Sequence, residues 1–280
     1  MNNTVTLHSA LQDGISRLGS SLAARRDAEL LLMRVLGCDR AYLLTHPETA
    51  LTAEQAALYE EWLSRRARHE PVQYIIGEHE FFGLKFRVTP DVLIPRPETE
   101  HLVEAALARV DRHVAPRIAD IGTGSGAIAV ALAHALPNAR ITALDISPTA
   151  LAVAQENAEV HAAGSRIRFL QSDLLDAVAG EQFDMMVSNP PYVAEDEELE
   201  AQVRDYEPAS ALFAGPEGLD VYRRLIPQAK AAITPGGWLL LEIGHGQRES
   251  LAELLSGWNK ISFIADLQGI PRVACAQRAG

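Results

Sequence analysis

A chain of 280 residues that is 48% apolar and 22% charged can bury the core of one large domain or two modest ones. Its formal net charge of −12 is a poor footprint for a phosphate backbone, whose grip rests on clustered Lys and Arg, so stable nucleic-acid binding is not expected. Cys38 and Cys275 lie far apart without a CxxC partner, and the nine histidines are scattered, so a disulfide framework and a metal site are not expected either.

Both thiols are expected to be buried. Residues 1 to 10 lack the basic stretch and apolar run of a secretion signal, and no segment approaches the roughly 20 apolar residues that span a bilayer. A cytoplasmic chain with no membrane partner is therefore expected.

Up to residue 75 the pattern is helical. Ala28, Leu31, Leu32, Val35 and Leu36 share one face of a helix predicted over 23–36, and Gly37 follows as its stop. A second helix is predicted over 51–68, opened by Thr52 with Glu54 and Gln55 in its first turn. Three or four short helices fit here, and no catalytic motif does. From 76 to 96 the reading changes, because the run from Glu80 to Val88 gathers aromatic and apolar residues around Gly83 as strand, turn and strand. Pro90, Pro95 and Pro97 then punctuate the chain, and a helix is expected to begin near Glu98.

Beyond residue 115, short β-rich runs alternate with Ala-rich helical stretches. The strands are Arg117–Ile121, Arg140–Asp145, Ile167–Gln171, 184–188 and 238–243; the clearest helices are 127–136 and 150–162. Such alternation implies an α/β fold with a mostly parallel sheet and helices on both faces. The close runs 261–265 and 273–276 read as an antiparallel hairpin at the sheet edge.

The first informative site is Asp120-Ile121-Gly122-Thr123-Gly124-Ser125-Gly126, where a strand ends and a helix begins. Glycines there allow a ligand to approach the backbone and permit positive φ. Ligands of open α/β sheets bind at the carboxyl ends of strands, where strand order reverses. Nineteen residues after Gly126, Asp145 ends the second strand, where a carboxylate can accept bonds from both ribose hydroxyls of an adenosine ligand. Asp173 ends the third, near the expected adenine edge. The GxGxG spacing departs from the GxGxxG of dinucleotide sites. It resembles the acidic-x-Gly-x-Gly-x-Gly loop of class I methyltransferases, which implies S-adenosyl-L-methionine.

The second site is Ser188-Asn189-Pro190-Pro191-Tyr192, after the apolar strand Met185-Met186-Val187. Two prolines without N–H groups end the ladder and hold the residues before them extended. The Asn189 side-chain oxygen and the Pro190 carbonyl can each accept one N–H of a flat NH2 group, with Tyr192 stacked on its face. Held so, the nitrogen aims its lone-pair axis out of its own plane, toward a methyl sulfonium on that axis. A planar carboxamide and the exocyclic amine of adenine both satisfy these demands.

Taken together, these residues resemble the peptide chain release factor glutamine methyltransferases, the HemK-like family. The likeness extends to Asp27-Ala28-Glu29-Leu30-Leu31-Leu32, Glu70-Pro71-Val72-Gln73-Tyr74-Ile75-Ile76-Gly77, Phe81-Phe82-Gly83, and above all Ile94-Pro95-Arg96-Pro97-Glu98-Thr99-Glu100. It implies a helical substrate-recognition domain over 1–75, a β-hairpin linker over 76–96 and a Rossmann-like methyltransferase domain over 97–280. It further implies methyl transfer from S-adenosyl-L-methionine to the N5 amide nitrogen of the glutamine in the Gly-Gly-Gln motif of class I release factors. Cofactor contacts are implied at Gly122, Thr123, Gly124, Ser125, Gly126, Asp145, Asp173, Leu174 and Asn189. Leu174 stands where relatives often carry an aromatic residue, and leucine packs against adenine but stacks less well. Asn189, Pro190, Pro191 and Tyr192 are the implied substrate pocket, with Asn189, Pro190 and Tyr192 catalytic. N6-adenine methylation is the alternative; the acidic charge, the lack of a DNA-reading domain and the helical region weigh against it.

Three weaker features remain. Glu195-Asp196-Glu197-Glu198 reads as a solvated acidic helix start. Arg96 and Glu98 either line the mouth of the site or anchor the hinge between domains. His245, between two glycines, reads as a loop residue.

Overall fold

In a computed structural model, residues 5–19, 21–110 and 115–280 are described. Contacts divide the chain into two units: Met1–Gly77 with Glu200–Tyr206, and Glu78–Leu199 with Glu207–Gly280.

The first unit is helical: α1 (Leu7–Leu18), α2 (Leu22–Leu36), α3 (Arg40–Thr45), α4 (Ala53–Arg66) and α5 (Val72–Ile76). Local chemistry sets the ends. Thr52 and Gln55 bond each other's backbone N–H groups, a reciprocal cap that starts α4 two residues inside the expected boundary. Gly37, at φ 64°, stops α2 in the left-handed conformation. Ala28, Leu31 and Leu32 of α2 pack with Tyr59 and Leu63 of α4, while Val35 and Leu36 stay partly buried. Tyr59 fills the groove beside Gly14 of α1 and donates to the Ala28 carbonyl at 3.2 Å. Buried Glu29 is held by Arg25 and Arg40.

The second unit opens with the hairpin β1 (Glu78–Phe81) and β2 (Leu84–Arg87), paired antiparallel. A 3-10 turn, Pro97–Thr99, leads into α6 (Glu100–Leu107). Then follow β3 (Arg117–Ile121), α7 (Ala127–Ala135), β4 (Arg140–Asp145), α8 (Pro148–Val160), β5 (Ile167–Gln171) and β6 (Phe183–Ser188). The short α9 (Ala201–Tyr206) belongs to the first unit. The chain closes with α10 (Asp220–Ala232), β7 (Ile233–Glu242), α11 (Arg248–Leu254), β8 (Asn259–Ala265) and β9 (Pro271–Gln277).

Seven strands form one sheet in the order β5-β4-β3-β6-β7-β9-β8. The first five are parallel, and β9 joins β7 antiparallel with β8 at the edge, as the hairpin pattern predicts. After β5 the chain crosses back to place β6 beside β3, so strand order reverses between those two. Side chains alternate across the sheet: Ile118 joins the core under α6, α7 and α8, whereas Ala119 and Ile121 join the core under α10 and α11.

Some sequence expectations are corrected. β7 begins at Ile233, before the expected Trp238, because Thr234 to Gly237 loop out between the pairs Phe183–Ile233 and Met185–Trp238. Glu195-Asp196-Glu197-Glu198 is a turn and not a helix start: Val193 bridges Phe213, and the Glu195 N–H bonds the Gly215 carbonyl at 3.2 Å, which keeps this backbone out of a helix. Both cysteines are free, but only Cys275 is buried; Cys38 is half-buried. Among the described residues no helix is long and apolar enough to cross a membrane, and no cluster of three His, Cys, Asp or Glu is placed to hold a metal.

Candidate active site

The glycine loop leaves the tip of β3 with Gly122, Gly124 and Gly126 all at positive φ. Gly122 and Thr123 donate to the Leu144 carbonyl at 2.8 and 2.9 Å, which ties the loop to the end of β4. Gly124 donates to Asp145 Oδ2 at 2.8 Å, and Ser147 donates to Oδ1 at 2.9 Å. Burial pushes the Asp145 carboxyl up, and the N–H groups of Ser147, Gly124 and Ile146 pull it back. Two carboxylate oxygens offer about four lone-pair sites, so two bonds leave acceptor capacity toward the cavity. Behind the loop, Asp120 is fully buried; its Oδ2 accepts from the Thr123 hydroxyl at 2.7 Å and its Oδ1 has no partner. That burial raises the Asp120 carboxyl to about 7.

In front of the loop lies a cavity of about 270 Å³. Gly122, Thr123, Gly124, Ser125, Asp145, Asp173, Leu174, Asn189 and Pro191 all line it. Gly126, Pro190 and Tyr192 do not. Gly126 has a packing reason instead: a Cβ there would meet the Ala154 Cβ at 3.0 Å, so it allows α7 to press on α8. Asp173 is ion-paired with Arg224 at 2.6 Å. Leu174 sits at φ 49°, a strained conformation for a branched residue, where it faces the cavity.

Asn189 approaches from the tip of β6. Ser188 is in register with Ile121, and its hydroxyl donates to the Ile121 carbonyl at 2.7 Å. The Asn189 carbonyl lies 3.9 Å from where a Gly122 Cβ would stand. The two sequence motifs are therefore neighbours at the ends of adjacent parallel strands, where strand order reverses.

Comparison with known proteins bears on this arrangement. A protein of Koribacter versatilis described as "Release factor glutamine methyltransferase" is 47% identical over 98% of this chain and 99% of its own length. The chain belongs to the release factor glutamine methyltransferase family. The protein of the same description in Escherichia coli is 43% identical over 94% of this chain and 95% of its own. Residues 9–77 match the PrmC N-terminal domain, and residues 99–206 match the methyltransferase small domain. Among solved structures, the hMettl16 catalytic domain bound to a MAT2A 3'UTR hairpin has a TM-score of 0.57 at 16% identity, covering 98% of this chain and 92% of that one. The 16S rRNA methyltransferase RsmC of T. thermophilus, with AdoMet and guanosine, has a TM-score of 0.56 at 20% identity, covering 72% of this chain and 49% of that one. At those identities the likeness concerns the fold. The chain is thus an enzyme, a methyltransferase with the α/β sheet of that class.

In this member of the family three residues around the site carry no sequence motif of their own. Ile146 lines the cavity at 59% exposure, an apolar side chain left open directly after the strand-ending Asp145. Thr99, buried, accepts from Asn189 Nδ2 at 3.1 Å; it lies inside the Ile94 to Glu100 stretch, whose resemblance is its only sequence signal. Glu242 is the acid that ends the apolar strand β7. It is fully buried, and its Oε1 accepts from the Tyr192 hydroxyl at 3.3 Å. Tyr192 does not line the cavity. It borders a second depression of about 330 Å³ with His245 and Gln247, and its carbonyl accepts from Gln247 Nε2 at 3.0 Å. Arg96 and Glu98 line neither space. Arg96 pairs at 2.5 Å with buried Glu207, which also accepts from the Ile94 N–H and so pins the stretch leading to α6.

Proposed function

We propose that this enzyme transfers a methyl group from S-adenosyl-L-methionine to the N5 amide nitrogen of the glutamine in the Gly-Gly-Gln motif of class I translation release factors. The observation that carries the proposal is the shared cavity: Asn189 and the loop of Gly122 to Ser125 face one space from the tips of adjacent strands. The description of the full-length relatives supports release-factor glutamine over adenine as the acceptor. The helical region over 1–75 is assigned to recognition of the release factor, and the cytoplasm, where translation ends, is the expected compartment.

The lining suits the cofactor. Asp145 keeps acceptor capacity for ribose hydroxyls, the glycines leave room against the loop backbone, and Ile146 and Leu174 offer apolar faces for a base. When bound, S-adenosyl-L-methionine supplies an electrophilic methyl group.

A carboxamide nitrogen is a weak nucleophile, because its lone pair is delocalised into the carbonyl. Asn189 Oδ1 and the Pro190 carbonyl would each accept one of its N–H bonds. Two acceptors polarise those bonds and fix the nitrogen with its out-of-plane axis toward the donor, so orientation and fixed dipoles do most of the work. Pro191 stiffens the turn. Tyr192 is assigned to the flat face of the amide from the neighbouring depression, so Tyr192→Phe is expected to outperform Tyr192→Ala.

The test offers methyl-labelled S-adenosyl-L-methionine with a release factor, with its Gly-Gly-Ala variant, and with DNA. Label on the release factor, lost in the variant and located on the glutamine by mass spectrometry, is the expected result. Label on DNA alone, or none on the release factor, overturns the proposal.

A further inference from the structure

The turn that follows β6 can do little to hold itself. Pro190 and Pro191 carry no N–H, so their main chain only accepts hydrogen bonds, and the place of the Pro190 carbonyl is set by what holds the two ends of the turn. The near end is fixed by β6: Ser188 is in register with Ile121, and its hydroxyl donates to the Ile121 carbonyl at 2.7 Å. The far end is Tyr192, whose carbonyl accepts from Gln247 Nε2 at 3.0 Å.

Gln247 lies between β7, which runs parallel beside β6, and α11, where its own carbonyl accepts the Leu251 N–H at 3.0 Å. Its side chain has three partners. Nε2 also donates to the Gly218 carbonyl at 3.2 Å, and Oε1 accepts from the Gly244 N–H at 2.9 Å. Carbonyls only accept and a backbone N–H only donates, so these partners allow one orientation of the carboxamide. Two glycines admit the close approach. A Cβ on Gly218 would overlap the Tyr192 carbonyl oxygen, and one on Gly244 would stand 3.0 Å from the Tyr192 ring. The Tyr192 phenol is held as well, by its bond to buried Glu242 at 3.3 Å.

We propose that Gln247 is a positioning residue for methyl transfer: its carboxamide locks the Tyr192 end of the turn and so sets where Asn189 and the Pro190 carbonyl meet the acceptor nitrogen. This rests on the reading of that turn as the acceptor's site. Gln247 lines the second depression and not the cavity, so it acts through the turn and not on the reactants. Two successive prolines have fixed φ, so a shift of Tyr192 passes to the Pro190 carbonyl instead of being absorbed between them. A misplacement of about 1 Å at a reacting centre costs on the order of 100-fold in rate.

The experiment compares wild type with Gln247→Met, which keeps the length and loses the polar atoms, and Gln247→Glu, which keeps an acceptor for Gly244 and turns a carboxylate oxygen on the two carbonyls. Tyr192-Val193 is the one Tyr-Val pair in the sequence. Tyrosine labelled with 13C at the carbonyl, together with 15N-valine, therefore gives a single HNCO peak that reports the Tyr192 carbonyl in the full chain. In both variants that carbonyl is expected to move to lower frequency, as for a lost hydrogen bond. At pH 8 kcat is expected to fall about tenfold or more, with calorimetric affinity for S-adenosyl-L-methionine unchanged.

As the pH is lowered from 8 to 5, the kcat of Gln247→Glu relative to wild type is expected to recover several-fold, because a protonated carboxyl again donates to a carbonyl. Gln247→Met is expected to keep a constant ratio. The titratable groups around the side chain, Glu197, Glu217, His245, Tyr192 and Glu242, are common to all three proteins, so the ratio removes their own titration. A residue that merely supports the fold would lower the melting temperature without this recovery. An unmoved carbonyl peak, a kcat within twofold of wild type, a matching loss of cofactor affinity or a Gln247→Glu ratio that stays flat overturns the inference. Should Gln247→Glu fail to fold, Gln247→Met decides by its peak, kcat and cofactor affinity. The kcat is taken on whichever acceptor the wild type labels. Label on DNA and not on a release factor refutes the proposed substrate and leaves this inference to its own readouts; label on neither overturns both.

Discussion

The backbone N–H of Gly124 donates to Asp145 Oδ2 at 2.8 Å, so the glycine loop and the acid that ends β4 form a single structure. The acid has two tasks as a result. It braces the loop, together with its bond from Ser147, and it offers its remaining lone pairs to the cavity.

Asp145→Ala removes both. Cofactor affinity is expected to weaken by about 1–3 kcal/mol, the range for hydrogen bonds to charged groups. Titration calorimetry with S-adenosyl-L-methionine checks this, and wild-type affinity in the variant would remove Asp145 from the proposed contacts.

The three glycines separate by what lies beyond them. A Cβ on Gly124 meets nothing within 4 Å, whereas one on Gly126 meets the Cβ, Cα and carbonyl oxygen of Ala154 at 3.0 to 3.3 Å. Both residues sit at positive φ, which costs an alanine roughly 1–2 kcal/mol. Gly126→Ala adds an overpacking cost of about 1–3 kcal/mol. Denaturant unfolding is thus expected to show the larger stability loss for Gly126→Ala, and calorimetry the larger affinity loss for Gly124→Ala, whose methyl group enters the cavity lining. The reverse order would mean that Gly126 is the ligand-facing residue.

These contrasts mark the limit of what the sequence discloses. Strands β3, β4 and β5 have the bounds predicted from their apolar runs, because buried parallel strands write their pattern continuously and turns punctuate them. The alternation of strands and helices discloses the parallel sheet, but the neighbouring tips of β3 and β6 come from the strand order, which reverses after β5 and which no local pattern encodes. The fate of Gly126 was hidden, since a glycine for a ligand and a glycine for helix packing look alike in a loop motif. Tyr192 was hidden too. Its orientation depends on Glu242, fifty residues away, and nothing at either position announces the partner. Thr99 and Ile146 matter through placement alone, and residue type at a single position does not encode placement.

Asn189→Ala deletes the assigned acceptor. The melting temperature is expected to move by only a few degrees, as for loss of one hydrogen bond worth about 1 kcal/mol. Turnover on release factor is expected to drop on the order of 100-fold, the scale for removing one preorganised polar group that aligns or stabilises the reacting centre. Single-turnover labelling measures it. Turnover within a few-fold of wild type would dismiss Asn189 from the chemistry.

Stability carries its own signature in pH. Asp120 and Glu242 are both raised to about 7 by burial, from ordinary values of 3.8 and 4.5. In the window between those values the folded chain holds protons that the unfolded chain has released. Stability therefore falls through these two groups as pH rises from the ordinary values toward 7, and levels once both states are ionised. Ion-paired carboxyls such as Glu29, which is lowered, act in the opposite sense, so the total curve is a compromise. The difference between proteins isolates the effect. Urea midpoints of cofactor-free wild type, Glu242→Gln and Asp120→Asn at pH 5, 6, 7 and 8 are expected to diverge, because each variant lacks one of the two losses. Each should gain on wild type as pH rises to 7 and hold a constant offset above it. Curves that run parallel across this window would mean that neither acid titrates there, and that both are ionised in the folded chain despite their burial.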